Sequence, residues 1–395
     1  MLNSRSTWRN RWLILFGCII LYLIAHFVHL HNSHYWLPEI PTDVTLTKKN
    51  ADGPLILRDD IFNNGDSRNK NSKILRGAGI LAHTEILFDQ PIQKIEESPP
   101  APINISSTFI NKFQKTAKLT ANNTDDFVLF SVINEGYFNL TANFLCNLYA
   151  IGNEKLHKKI FIVALQEETC ENLKAEWPKI QCLWLETDDV HNEGVEWGKK
   201  VYVQILTFRA RLLDELSKLR IPFILFESDA IWFKSPFDLI RNSTAVDDVD
   251  IIIPVNSYPG KQKLAFDPLV AFNTTATSSF FSEMRSRLES NPELMDQEVL
   301  NELCSSQFKG VVCRNFEWSD VADGKWFKMS DRERKNYFPF IVNNNYYVGV
   351  KNKAARQAIN GLWFLSPKGH CNLNKAKKLL AKYKHVDDYS IKKTG

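Results

Sequence analysis

Residues 221–236 read IPFILFESDAIWFKSP, and this segment is the starting point for predicting the architecture. Five of its first six residues are large and apolar. So short an apolar run, with Pro222 near its start, is typical of a β-strand that is buried on both faces. Glu227 and Asp229 follow the run and point to the same side of an extended chain. In open α/β sheets ligands bind beyond the carboxyl ends of the strands. The segment therefore predicts a ligand site at these two carboxylates.

The pair of carboxylates allows two interpretations. Two neighbouring negative charges repel each other unless a cation lies between them, and Mn²⁺ or Mg²⁺ prefers carboxylate oxygens. The first interpretation is therefore a metal site beside which a phosphate could lie. The second is structural, with Asp229 capping the next turn and Glu227 solvated at the strand end. The local chemistry leaves both open.

Strands and helices alternate around this segment. Apolar runs predict strands at 127–133, 159–165, 181–185 and 250–255. Apolar residues at helical spacing predict helices at 137–149, 168–176, 200–219 and 279–290. This alternation is typical of an α/β protein with a mostly parallel, Rossmann-like sheet flanked by helices.

The N-terminal segment predicts a membrane anchor. Residues 12–30 are almost wholly apolar and long enough to span a bilayer. Arginines precede them, so residues 1–11 are expected to stay in the cytoplasm and the rest to enter the lumen. A cleaved signal peptide is the alternative, but residues 26–31 (HFVHLH) are a poor cleavage site. We expect an uncleaved single-pass anchor of type II orientation.

Residues 31–120 lack sustained periodicity and contain linker-like stretches, so they predict a lumenal stem before a folded domain at 121–395. A small folded pre-domain is the alternative.

Six cysteines follow the anchor, and Cys170/Cys182 and Cys304/Cys313 are candidate disulfide pairs. The net charge is +4, with lysines clustered in a C-terminal run typical of a solvated helix face, so no nucleic-acid binding is expected. The predicted glycosylation sites are Asn104, Asn122, Asn139, Asn242 and Asn273.

The acidic segment resembles a known motif. The pattern carboxylate-x-Asp-x-x-Trp of residues 227–232, after an apolar strand, is similar to the acidic motif of the nucleotide-diphospho-sugar transferase family, of the glycosyltransferase family 77 type. The similarity covers roughly residues 125–370. Four further segments occur in the family's order: 144–165, 197–209, 296–301, and 343–349 with 361–364.

The resemblance implies a fold and an activity. The expected fold is GT-A-like, and the expected activity is that of a Golgi-membrane hexosyl- or pentosyltransferase that retains anomeric configuration. Its partners would be a nucleotide-sugar donor and a glycan or glycoprotein acceptor, with Mn²⁺ or Mg²⁺ as cofactor. Glu227, Asp229 and Asn343 would hold the metal, and Asp296 and Gln297 are the candidate catalytic residues.

Five residues are candidates for substrate binding. Arg209 lies on the apolar stripe of the helix at 200–219 and could reach a diphosphate, since arginine suits bidentate phosphate contacts. The alternative is that its side chain snorkels to solvent. For Asp296 the structural alternative is a helix N-cap. The substrate-binding candidates are Ser131, Asn134, Lys200, Arg209 and Asn344.

The sequence departs from the family at Asn343, where the family usually has histidine. An amide oxygen can coordinate a hard cation, but it is neutral and binds more weakly. This departure leaves a second hypothesis open, a catalytically silent relative that binds glycans or partners on the same scaffold.

Overall fold

The computed structural model of the chain describes residues 102–124, 127–192, 195, 198–242, 248–256, 263–334, 338–346 and 348–384. The predicted cytoplasmic tail, the anchor at 12–30 and the stem up to residue 101 lie outside these ranges and stay predictions. Within the described part of the chain, no helix is both long and apolar enough to cross a bilayer.

Strands and helices alternate along the first half of the folded body, as the sequence predicts. The strands are β1 Val128–Ile133, β2 Ile160–Ala164, β3 Gln181–Trp184, β4 Phe223–Leu225, β5 Ile231–Trp232, β6 Ile251–Ile253, β7 Val255–Asn256, β8 Lys263–Leu264, β9 Leu269–Ala271, β10 Cys313–Asn315, β11 Val321–Ala322 and β12 Ile341–Val342. The helices are α1 Ser107–Ala121, α2 Phe138–His157, α3 Glu167–Glu176, α4 Lys200–Lys218, α5 Pro236–Asn242, α6 Thr275–Ser290, α7 Asp296–Ser305, α8 Asp331–Arg334, α9 Val350–Ile359 and α10 Leu373–Lys384.

The main sheet has seven strands in the order β10-β6-β9-β4-β1-β2-β3. The pairs β3/β2, β2/β1, β1/β4 and β6/β10 are parallel. The strand β9 lies between β4 and β6 and is antiparallel to both. The prediction of a mostly parallel α/β sheet flanked by helices is therefore confirmed, with one reversed strand that the sequence pattern did not indicate.

Both faces of the sheet are buried, which explains the continuous apolar runs. Along β1, Leu129 packs into the core on one face, together with Phe144 of α2 and Trp232. Its neighbour Phe130 packs into the core on the other face, together with Phe208 of α4. Successive side chains of a strand alternate between faces, so a strand covered on both sides needs apolar residues at every position.

Helix α1 corrects the predicted stem. Its residues Phe109, Phe113 and Ala117 are buried in the same core as Phe130. The hydroxyl of Ser106 caps the helix by accepting a hydrogen bond from the Phe109 N–H at 3.1 Å. The predicted boundary at residue 120 is therefore wrong, because the folded body already includes residues 107–120. The short apolar stripe at four-residue spacing was masked by the polar residues between its members.

Three disulfides hold the described part of the chain. Cys170–Cys182 and Cys304–Cys313 confirm the two candidate pairs. Cys146–Cys371 joins residues 225 positions apart and was not predicted, since spacing in sequence does not indicate it. This third bond ties the start of the C-terminal segment to α2 in the core.

Candidate functional site

The acidic segment follows β4 at the carboxyl end of the parallel strands. A turn closes between Glu227 and Ala230, whose N–H donates to the Glu227 carbonyl at 3.2 Å. The side chain of Asn147 then bonds both to the N–H and to the carbonyl of Trp232, each at 2.8 Å. The Trp232 ring lies edge-on to the ring of Phe144 at 5.3 Å. The segment is thus fixed from both ends by buried contacts.

Three carboxylates meet at this place. One oxygen each of Glu227, Asp229 and Asp267 lies within 4.8 Å of the others. Asp267 precedes β9, and because β9 runs antiparallel to β4, its beginning lies next to the end of β4. Asp267 Oδ1 accepts a hydrogen bond from the Glu227 N–H at 2.9 Å. Asp267 was not predicted, since nothing in its local sequence shows that its strand is reversed.

Two buried oxygens at this cluster lack a hydrogen-bond partner within the described residues, Asp267 Oδ2 and Asn343 Oδ1. The amide of Asn343 donates to the backbone carbonyl of Asp267, which places the two residues in contact. Buried polar oxygens normally have a partner, so a pair of unsatisfied ones calls for an explanation. Carboxylate and amide oxygens are the ligands that hard divalent cations prefer, so these residues fit such an ion.

The charges of the cluster support the same interpretation. Burial raises the pKa of the Asp267 carboxyl well above its usual range, and the negative charges of Glu227 and Asp229 raise it further. Without an ion the cluster therefore disfavours full ionisation of its carboxylates. A bound divalent cation reverses this balance because it stabilises the ionised forms.

Lys353 of α9 supplies a positive charge to the cluster, and the sequence interpretation missed it. Its ammonium donates to Asp229 Oδ2. It also lies 5.7 Å from the centre of the Tyr137 ring, within the range of a cation–π contact. The predicted residue Asn344 holds the backbone of this lysine, since its Nδ2 donates to the Lys353 carbonyl at 3.0 Å.

Arg209 links two predicted site residues. Its Nη1 lies 3.2 Å from Glu227 Oε1, and its Nη2 lies 2.5 Å from Asp296 Oδ2. Burial lowers the pKa of the guanidinium, but Asp296 and Glu227 raise it more, so Arg209 stays charged. Neither structural alternative holds. Arg209 is buried rather than snorkelling, and Met295 rather than Asp296 is the N-cap of α7.

A cleft that is open to solvent lies beside these charges. Its polar lining residues are Ser131, Asn134, Tyr137, Tyr202, Arg209, Glu227, Ser228 and Lys353. The fold thus brings three predicted substrate-binding residues, Ser131, Asn134 and Arg209, to one cavity. The amide of Asn134 also donates to the His191 carbonyl at 3.0 Å, which orients it.

Three predicted site residues lie elsewhere. Lys200 is exposed at the first position of α4 and is not among the described residues that line the cleft. Gln297 donates to the Leu264 carbonyl at 2.7 Å and does not line it either. Asn344 is buried, and its Oδ1 accepts a hydrogen bond from Arg356 Nη1 at 3.1 Å. In this structure these three residues therefore have local or supporting positions and do not line the cleft.

Four of the predicted glycosylation sites are exposed, as an acceptor asparagine must be: Asn104, Asn122, Asn139 and Asn273. The side chain of Asn242 lies outside the described part of the structure. Modification at all five stays a prediction.

A family model described as nucleotide-diphospho-sugar transferase matches residues 155–357. The matched range contains the three clustered carboxylates, Arg209 and Lys353. A search of curated proteins found no match.

Several solved structures are similar to the chain. The glycosyltransferase GlyE of Streptococcus pneumoniae TIGR4 is 12% identical, with a TM-score of 0.40, over 65% of this chain and 64% of GlyE. Mouse xyloside xylosyltransferase 1 is 12% identical, with a TM-score of 0.37, over 56% of this chain and 98% of the mouse chain. Core-mannan synthase A of Aspergillus fumigatus, in an Mn/GDP form, is 10% identical, with a TM-score of 0.34, over 49% and 73%. The chain spans less than two thirds of GlyE, and scores this low say nothing about function.

Proposed function

Because the chain belongs to the nucleotide-diphospho-sugar transferase family, we propose that it moves a sugar from a nucleotide-diphosphate donor to an acceptor hydroxyl. The acceptor would be a glycan or a glycoprotein, and the anomeric configuration would be retained. One observation carries the proposal: three clustered carboxylates, with unsatisfied buried oxygens on Asp267 and on the adjacent Asn343, lie beside a cleft that is lined by two cationic side chains. This combination suits a metal–diphosphate complex.

Glu227, Asp229, Asp267 and the amide oxygen of Asn343 would hold Mn²⁺ or Mg²⁺. When bound, the ion would act as a Lewis acid that stabilises the diphosphate leaving group. Asn343 stands where the family usually has histidine, so the site lacks one strong metal ligand. Asp267 adds a charged metal ligand. The weaker metal ligand at position 343 is thus offset by Asp267, which lies outside the acidic motif.

The chain's own cations would complete the charge on the leaving group. Arg209 and Lys353 both line the cleft, and each is already oriented by a carboxylate. Fixed cations aimed at developing negative charge are effective in a site shielded from water, since they need no reorganisation during the reaction. Ser131 and Asn134 at the end of β1 would hold the nucleotide part of the donor. Asp296, held by Arg209, would lie towards the sugar.

We place the protein in the Golgi membrane, as a single-pass protein with its body in the lumen. Three disulfides support an oxidising compartment, because they are rare in proteins kept in the cytosol. The apolar segment at 12–30 and the exposed asparagines of the Asn-x-Ser/Thr triplets agree with this location.

A catalytically silent relative is the second candidate, and two observations favour it. Asn343 replaces the usual histidine, and the ammonium of Lys353 takes a carboxylate that a metal would need. A silent relative would bind neither a divalent ion nor a nucleoside diphosphate at this site.

Calorimetric titration of the full-length protein in detergent distinguishes the two candidates. We expect Mn²⁺ to promote the binding of UDP or GDP, and the protein to hydrolyse one nucleotide sugar slowly when Mn²⁺ is present. Asp267→Asn should weaken Mn²⁺ binding at least tenfold. Asp238→Asn, which alters an exposed carboxylate of α5, should have no effect. No Mn²⁺ binding, or equal binding by wild type and Asp267→Asn, would contradict the metal-dependent proposal.

A further inference from the structure

We infer that Lys353 is an exchangeable counter-ion: its ammonium occupies Asp229 while no metal is bound, and metal binding moves it into the cleft, where a diphosphate becomes its new partner. The inference rests on the proposed function and adds an order of events to it. Nucleotide and metal would then bind cooperatively, and one side chain would carry the coupling.

Lys353 and a bound divalent ion would compete for one carboxylate. Lys353 Nζ contacts Asp229 Oδ2, and Asp229 is one of the three clustered carboxylates. The side chain of Asp229 is only 4% exposed, so water screens little of the repulsion between two cations placed on it. A divalent ion and the ammonium therefore exclude each other at this carboxylate.

The ammonium of Lys353 can leave Asp229 without any movement of helix α9. Gln357, one turn further along α9, donates to the Asp229 carbonyl at 2.7 Å. Its other amide atom accepts from Asn143 at 3.0 Å. Asn344 holds the Lys353 carbonyl. These contacts fix the backbone of α9 next to the acidic segment whether or not the ion pair is formed, so exchange requires only rotation of the lysine side chain.

The cleft can receive the ammonium of Lys353 once it leaves Asp229. The side chain of Lys353 is 15% exposed, more than that of its partner Asp229, and it lines the same cleft as Arg209. A lysine stem has four rotatable carbons and carries a compact charge, so the ammonium can turn towards a ligand from a fixed backbone. The cleft is open to solvent, so a ligand can enter it beside the ammonium.

The charges around the cleft show why the exchange is coupled. Glu227 and Asp296 share Arg209, and Asp229 is paired with Lys353. A metal ion alone must displace the lysine into a cleft where the carboxylate among the described lining residues, Glu227, is already paired with Arg209. With a diphosphate present, the displaced ammonium gains a partner. By linkage, the nucleotide must then raise metal affinity by the same factor as the metal raises nucleotide affinity.

The test measures Mn²⁺ binding to the full-length protein by calorimetry, with and without UDP and then GDP. Lys353→Met keeps the length of the side chain and removes its charge. We expect this variant to bind Mn²⁺ alone about tenfold more tightly than wild type, and to lose most of the gain that the nucleotide gives, since coupling between two ligands is typically 5- to 150-fold. Lys351→Met, two residues earlier on the same helix and exposed, should behave as wild type.

Other results of this titration would separate a failure of the exchange from a failure of the proposed function. If Lys353→Met is folded by thermal unfolding but binds Mn²⁺ no more tightly than a wild type that does bind it, the exchange is refuted while the proposed function stands. If neither protein binds Mn²⁺, both fail. If Lys353→Met does not fold, Lys353→Gln replaces it with the same expected gain, and Lys353→Arg, which keeps the charge, should retain the wild-type affinity.

Discussion

The ring of Phe113 lies 5.1 Å from the ring of Phe161, centroid to centroid, and thereby joins the helix before the sheet to the second strand. Phe113 also meets Phe130 of β1 edge-on at 5.9 Å. Helix α1 is therefore part of the core of the transferase body and covers apolar residues on one face of the sheet.

Phe113→Ala should lower the free energy of unfolding by about 3–5 kcal/mol, because it leaves a cavity against two fully buried rings. Leu119→Ala is the matched control, since Leu119 lies on the same helix but is 52% exposed. The control should change stability by about 0.5 kcal/mol or less. Equilibrium denaturation of both variants measures the difference, and equal losses would show that α1 is not packed on the sheet.

Truncation separates the linker from the body. A chain that begins at residue 102 keeps α1 and should fold. A chain that begins at residue 116 lacks Phe109 and Phe113, exposes Phe130 and Phe161, and should aggregate or unfold cooperatively at a lower temperature. Size-exclusion chromatography and thermal unfolding compare the two. A stable, monomeric chain from residue 116 would mean that the stem does extend to about residue 120.

Part of the candidate metal site could be predicted from the sequence, and part could not. Glu227 and Asp229 were found because both follow one buried strand, where period-two geometry gives them a common side. Asp267 and Lys353 come from segments about 40 and 125 positions away, and only the fold brings them near. In an all-parallel sheet a residue before a strand lies at the edge opposite to the site. The reversal of β9 is what moves Asp267 to the same edge, and no local pattern reports strand direction.

Asp229→Asn should abolish Mn²⁺ binding and also destabilise the metal-free protein. If only the repulsion between Glu227 and Asp229 mattered, removing one charge would not lower the stability of the metal-free protein. The ion pair between Asp229 and Lys353 reverses that expectation, because the substitution breaks it. Breaking a buried pair costs about 3–5 kcal/mol when the remaining charge stays buried. Lys353 can turn into the cleft, so we expect a smaller loss. Denaturation in EDTA measures it.

The double variant Asp229→Asn/Lys353→Met serves as the control for that experiment. It removes both charges and should regain most of the stability that the single variant loses. If the single variant is as stable as wild type without metal, the ion pair contributes nothing to the fold.

The buried His157 should make stability depend on pH. Burial lowers its pKa from the ordinary 6.5 to about 4, while its Nε2–H donates to the Leu145 carbonyl at 2.9 Å. The unfolded chain therefore binds a proton at higher pH than the folded chain does. Stability is fully present above about pH 6.5 and falls as the pH drops towards 4, by up to about 3 kcal/mol.

Denaturation between pH 7 and pH 4 checks this slope. His157→Gln should be less stable at neutral pH but should lose less further stability on acidification. The exposed His370 provides the control, because His370→Gln should keep the wild-type slope. An unchanged slope in His157→Gln would assign the acid sensitivity to other groups.

The reversed strand β9 divides the main sheet into two parallel blocks, β4-β1-β2-β3 on one side and β6-β10 on the other. All three of its residues pair with β4, and two of them, Val270 and Ala271, also pair with β6. The carboxylates that would hold an ion lie across this junction, with Glu227 and Asp229 attached to one block and Asp267 to the connecting strand. An ion bound there would act as a crosslink between the first block and β9, and would limit sliding of β9 against β4. Loading the site with metal would then stiffen the sheet as a mechanical unit, in addition to preparing it for chemistry.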